Sequence, residues 1–82
     1  MSVTRINKAD YRKIAAYEYL ANLARVTHAA GDIWKIETPE NDLYFYTFAE
    51  LMENITENLE CMRELVECGQ IERELWEEAW RS

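Results

Sequence analysis

Between residues 48 and 66 the apolar positions fall at Phe48, Leu51, Met52, Ile55, Leu59, Met62 and Val66. Steps of three and four place them within an arc of about 100° on a helix. Thr47-Phe48-Ala49-Glu50 supplies a capping box at the start. In it the threonine hydroxyl accepts from the Glu50 amide and the glutamate carboxylate returns to the cap amide, with Tyr46 and Leu51 placed for a hydrophobic staple. Gly69 is the left-handed residue that ends the run. The spacing predicts a helix beginning at 48 and closing before Gly69. A last helix is expected over about 71–81, with Ile71, Leu75 and Ala79 on one side and Trp76 and Trp80 adjoining it.

Upstream the pattern is less simple. Asn7 followed by Asp10 has the form of an N-cap with an acidic first turn, and Gly31 offers a C′ position, which together predict a first helix over about 8–30. Ala16, Tyr19, Leu23, Val26 and Ala30 share one side of that helix, while Ile14, Tyr17, Ala21, Ala24 and His28 share another. A helix apolar on two sides has neighbours on two sides, so the second is either the element that follows or another subunit.

Residues 32–46, DIWKIETPENDLYFY, change period: β-branched and aromatic residues flank TPEND, a turn-forming segment with the only proline. Strands near 33–37 and 43–46 are expected, and SVTRI at the N-terminus is a candidate third strand. Two strands alone are marginal, so this hairpin must lean on the helices. The expected fold class is α+β, predominantly helical: a long N-terminal helix, a small β-hairpin, then two C-terminal helices, in a single domain spanning 1–82.

A chain of 82 residues buries a small core, about 60% of its unfolded surface. No apolar run approaches a membrane span, and MSVTRINKADYRK has no apolar segment behind its charges, so a soluble, cytoplasmic protein with no membrane partner is expected. Cys61 and Cys68 stand seven residues apart on one predicted helix, with Cα atoms about 10 Å apart, too far for a disulfide within it. They are expected as free thiols, a bridge between two copies being the pairing left open.

Charge changes the picture most. Residues 1–31 carry five basic residues against Asp10 and Glu18, a net +3, whereas 32–82 carry four basic against fourteen acidic, a net −10. Acidic surface repels nucleic acid, so direct binding of DNA or RNA is not expected for most of the chain. Within this acidic region Glu50, Glu53, Glu57, Glu60, Glu64 and Glu67 recur at intervals of three and four. They form a ridge opposite the apolar arc, about 25 Å long. Its five successive like-charge contacts cost roughly 0.2–0.5 kcal/mol each, and only Arg63 interrupts the ridge where a helix built for solubility would interleave lysine.

Other chemistry is sparse. His28 is the only histidine, without companions for a zinc site or a triad, and is expected to be structural. The two glycines, at 31 and 69, build no phosphate loop, and outward glutamates without histidine do not make a di-metal site. Neither catalytic residues nor a metal or cofactor are expected. Ten aromatics exceed what so small a core needs; Trp76 and Trp80, beside acidic residues near the chain end, are the expected interface aromatics.

A carboxylate ridge of this regularity has the sign and spacing to imitate nucleic-acid backbone. The expectation is a non-enzymatic, protein-binding inhibitor of the kind encoded by phages and mobile elements, anti-CRISPR or anti-restriction in type. Its partner is a protein with a basic nucleic-acid-binding surface. The alternative is a homo-oligomeric adaptor module, a dimer through the first helix and the terminal tryptophans, whose acidic face only confers solubility. A weaker third reading binds DNA through the basic first helix.

Overall fold

A computed structural model describes residues 6–81. Its elements run α1 (Lys8–Leu20), β1 (Arg25–Ala30), β2 (Ile33–Glu37), β3 (Asp42–Phe45), α2 (Phe48–Glu67) and α3 (Arg73–Arg81). The class is α+β and mostly helical, with an antiparallel sheet in the order β1-β2-β3 that follows α1 in the chain and precedes the two C-terminal helices.

α1 starts as its sequence predicts, Asn7 Oδ1 accepting from the Asp10 amide at 2.7 Å. It ends ten residues early. Ala21 caps it by donating to the Tyr17 carbonyl, and Asn22 and Leu23 then turn the chain at φ 26° and 73°. Residues 25–30 are strand: the β-branched pair Val26-Thr27 has poor helix propensity, and pairing with β2 outweighs the helical spacing around it. The residues beyond 24 therefore belong to β1, while within α1 both predicted sides are buried, Ile14 and Tyr17 of one and Ala16 of the other, with α2 and α3 of the same chain as neighbours. Gly31 is a turn residue and not a helix terminus; at φ +53° it holds the first central position of the two-residue β1–β2 loop. The extra residue, Ala29, makes a bulge between His28 and Ala30. The predicted hairpin is thus part of a three-stranded sheet, and the third strand is 25–30; of SVTRI only Ile6 is among the described residues, outside any strand and packed against the core.

β2 alternates as a half-buried strand should. Trp34 and Ile36 face the helices, and Lys35 and Glu37 form an ion pair at 3.2 Å on the other face. The core gathers Ile14, Ala16 and Tyr17 from α1, Trp34 and Ile36 from β2, Leu51, Met52, Ile55 and Leu59 from α2, and Ala79 from α3. Trp34 stacks between His28 (4.9 Å) and Phe48 (5.1 Å), which places the histidine on β1 against the core aromatics.

Both outer strands carry a guard. The Thr38 amide donates to the Asn41 carbonyl at 3.0 Å, and alternation from that pair turns the amides of Tyr46 beyond β3 and of Val26 on β1 away from β2. Glu18 accepts from the Val26 amide at 2.7 Å and Glu50 from the Tyr46 amide at 3.2 Å. Each edge so loses a donor that an incoming strand would use.

At the start of α2, Thr47 Oγ1 accepts from the Glu50 amide at 3.1 Å as predicted. The returning carboxylate takes the Tyr46 amide instead of the Thr47 amide, and Tyr46 is 75% exposed while Leu51 is fully buried, so no staple forms. α2 closes in a Schellman motif, with Gly69 at φ +83° and Gln70 N–H on the Leu65 carbonyl at 2.8 Å. α3 begins at Arg73, two residues later than predicted. It is tied to α1 by the Tyr19 hydroxyl, which donates to Glu78 at 2.9 Å.

Leu23 is 74% exposed and left-handed, a conformation that costs a non-glycine residue about 1–2 kcal/mol. Leu23→Gly removes that cost and adds roughly 0.5–1 kcal/mol of unfolded-state entropy, so the thermal midpoint is expected to rise by a few degrees. An unchanged or lower midpoint contradicts the strain.

Burial pushes the Tyr17 phenol above its usual value, and the Glu78 hydrogen bond does the same for Tyr19. The folded state then holds these protons more tightly than the unfolded state, so their stabilisation is complete below about pH 10 and lost as pH rises beyond it. The urea midpoint is expected to fall between about pH 9 and pH 11, less steeply in Tyr17→Phe. Equal slopes in the two proteins would rule out the Tyr17 contribution.

Candidate functional site

α2 divides its circumference into sectors. Phe48, Leu51, Met52, Ile55, Leu59, Met62 and Val66 form the inward one, buried or half-buried. Opposite them Glu50, Glu53, Glu57, Glu60, Glu64 and Glu67 are all exposed, as the wheel predicts. One flank between the two carries Asn54, Asn58, Cys61, Leu65 and Cys68, with Asn58 Nδ2 donating to the Asn54 carbonyl at 2.9 Å and both cysteines exposed and free. The other flank carries Thr56 and Arg63.

The ridge is not neutralised from within. Among the described residues the single ion pair is Lys35 with Glu37. The Lys13 ammonium reaches Thr56 Oγ1 at 3.4 Å and no glutamate, while Arg25 sits in β1. Glu50 is partly engaged at the cap; the carboxylates of Glu53, Glu57, Glu60, Glu64 and Glu67 have no hydrogen-bond partner among the described residues. Six charges over about 25 Å is one per about 5 Å, sparser than the 3.4 Å axial spacing of one DNA strand.

Trp76 and Trp80 lie in a groove between α2 and α3. Their rings are 5.7 Å apart and tilted by 56°. Trp80 packs against the core and Trp76 stands outside it, both half-buried. One lobe of the groove, about 460 Å³, is lined by Arg63, Val66, Glu67, Arg73, Trp76 and Trp80. The second, about 250 Å³, shares Arg63 and the two indoles and adds Lys13, Thr56, Leu59 and Glu60. Trp80 Nε1 is buried with no acceptor among the described residues.

The ridge and the tryptophans are neighbours, with Glu60 and Glu67 of the ridge lining the groove beside the two indoles. Glu74, Glu77 and Glu78 share a separate concavity with Arg81 on α3. Sequence reasoning missed the cations of the groove. Their signal was present: Arg73, Trp76 and Trp80 fall at i, i+3 and i+7, and Arg63 is the single base of α2.

The chain matches no protein-family model, no curated protein and no solved structure. Function must be argued from these surfaces alone. No helix among the described residues is long and apolar enough to cross a membrane, and no group of three or more His, Cys, Asp or Glu side chains among them is placed to hold a metal ion.

Glu57 meets Glu53 at i−4 and Glu60 at i+3. Glu57→Lys turns both repulsions into attractions, an expected gain of roughly 1 kcal/mol at low ionic strength that shrinks in high salt. Urea denaturation at two salt concentrations checks this; a destabilised variant would mean that the ridge is held by interactions other than its own repulsion.

Proposed function

We propose that this protein is a non-enzymatic inhibitor that occupies the basic nucleic-acid-binding surface of a partner protein with the glutamate ridge of α2. The observation that supports this is the idleness of the ridge. Five carboxylates point to solvent with no cation and no hydrogen-bond donor among the described residues, on a helix whose stability they lower. Three other glutamates of the same chain, Glu18, Glu50 and Glu78, each hold a structural hydrogen bond. Glu40, Glu72, Glu74 and Glu77 are likewise without a side-chain partner among the described residues, and what sets the ridge apart is the alignment of five such carboxylates along one helix.

The mechanism is electrostatic. The ridge draws a basic groove by long-range attraction, then sets its carboxylates against the arginines and lysines that otherwise hold phosphates. No bond is made or broken. Anti-CRISPR and anti-restriction proteins of phages and mobile elements act on targets of this chemistry, and the proposal includes that class of target.

The test is a pull-down from bacterial lysate with the tagged chain at low and high salt, with and without added duplex DNA or RNA, beside Glu53→Lys/Glu57→Lys/Glu60→Lys/Glu64→Lys. Wild type is expected to retain a nucleic-acid-binding protein that salt releases and duplex displaces. Each reversed contact is worth about 1 kcal/mol in water at 4 Å, so the quadruple variant should lose at least about 100-fold in affinity for it. A folded quadruple variant that captures the same protein equally well overturns the proposal.

A further inference from the structure

The ridge leaves the neighbouring groove unexplained, and its composition is the reverse of the surface around it. We propose that the groove between α2 and α3 is a docking site for an acidic amphipathic helix of a protein partner, independent of what the ridge binds.

Shape supports a helix. On α2 the lining residues run from Thr56 through Leu59, Arg63 and Val66 to Glu67, one continuous flank of about 16 Å or three helical turns. α3 supplies the opposite wall with Arg73, Trp76 and Trp80. Such a trough, open along its length and floored by indoles and aliphatic groups, takes the apolar stripe of a helix at i, i+3, i+4 and i+7.

Charge selects an acidic one. Three cations, Lys13, Arg63 and Arg73, line the groove against two glutamates. By contrast the concavity beside Pro39 is lined by one cation, Arg25, with Glu37, and the one on α3 by Arg81 with three glutamates. None of the three groove cations is in an ion pair among the described residues, although Glu60 and Glu67 stand at i−3 and i+4 from Arg63. They are available to incoming carboxylates. Tryptophan and arginine are also the residue types that dominate interface energetics when an apolar partner excludes water around them.

The experiment uses the whole chain and two fluorescein-labelled helical peptides of about four turns, each with leucine at i, i+3, i+4, i+7 and i+11 and glutamate in one, lysine in the other, at the flanking positions. Polarisation reports binding, and tryptophan emission reports whether the indoles are covered. The glutamate peptide should bind saturably with a shift in emission. Arg63→Glu/Arg73→Glu should weaken it at least about tenfold, and Trp76→Ala similarly, while Glu53→Lys/Glu57→Lys should not weaken it. Because Arg63 and Arg73 are exposed, the double reversal should keep the wild-type circular dichroism. Absence of binding by the glutamate peptide overturns the proposal, as does binding that the double reversal leaves unchanged. Preferential binding of the lysine peptide, lost in Trp76→Ala, assigns the groove to a basic helix instead. Sedimentation as a dimer that Arg63→Glu/Arg73→Glu dissociates assigns it to a second copy of this chain. Loss of ridge-dependent capture leaves this groove assignment standing, since the two surfaces are read by different variants.

Discussion

The fold depends on the alternation of one five-residue strand. Trp34 and Ile36 are the two side chains of β2 buried in the core, where α2 packs on the sheet and α1 packs on α2 and α3. Ile36 is fully buried, with Val26 and Leu43 paired to it on either side, and Trp34 joins His28 of β1 to Phe48 at the start of α2. A register slip of one residue would send Lys35 and Glu37 inward in their place, burying two charges in a core too small to absorb them. The Lys35–Glu37 ion pair on the outer face is the other half of the same constraint. α2 can then present a single apolar arc to β2 and leave the rest of its circumference unconstrained by the fold.

The carboxylates divide accordingly. Glu18 and Glu50 each occupy an outward amide at an edge of the sheet, and Glu78 ties α3 to α1 through Tyr19. The first two make the sheet edges poor templates for an added strand. The remaining ridge glutamates have no such task. Their mutual repulsion is tolerated because the buried side of α2 supplies far more than the few tenths of a kcal/mol lost at each contact.

Much of this was legible in the order of residues. α2 was, because its apolar period, its Thr47 cap and Gly69 agree with one another, and local signals that agree specify a single structure. The exposure of the six glutamates followed from the same period. The length of α1 was not, because Ala21, Ala24 and His28 continue a helical spacing that the chain abandons at Leu20. The contrary signals, a β-branched pair at 26–27 and an asparagine at 22 suited to a left-handed turn, are local and weak. They prevail only because β2 is adjacent to pair with, which is a tertiary fact. The groove was half legible. Trp76 and Trp80 could be singled out as surplus aromatics, but Lys13 and Arg63 lie fifty residues apart, and only the packing of α1 and α3 on α2 brings them to the same indoles.

Opposite charge on adjacent sectors of one helix has a consequence for how partners approach. At a distance the chain's net charge of −7 dominates, so encounter favours basic surfaces and disfavours acidic ones. The groove cations Lys13, Arg63 and Arg73, which line the groove with Glu60 and Glu67, act only within about a Debye length, some 8 Å at physiological ionic strength. An acidic helix approaching the groove would do so against the long-range field, so its association would quicken as salt screens that field, and it would be held by contact with the indoles once there. A basic surface meeting the ridge has the opposite profile, fast and slowed by salt. The two surfaces of α2 are thus separated in rate and in ionic-strength response as well as in position, and a partner's salt dependence identifies which of them it has met.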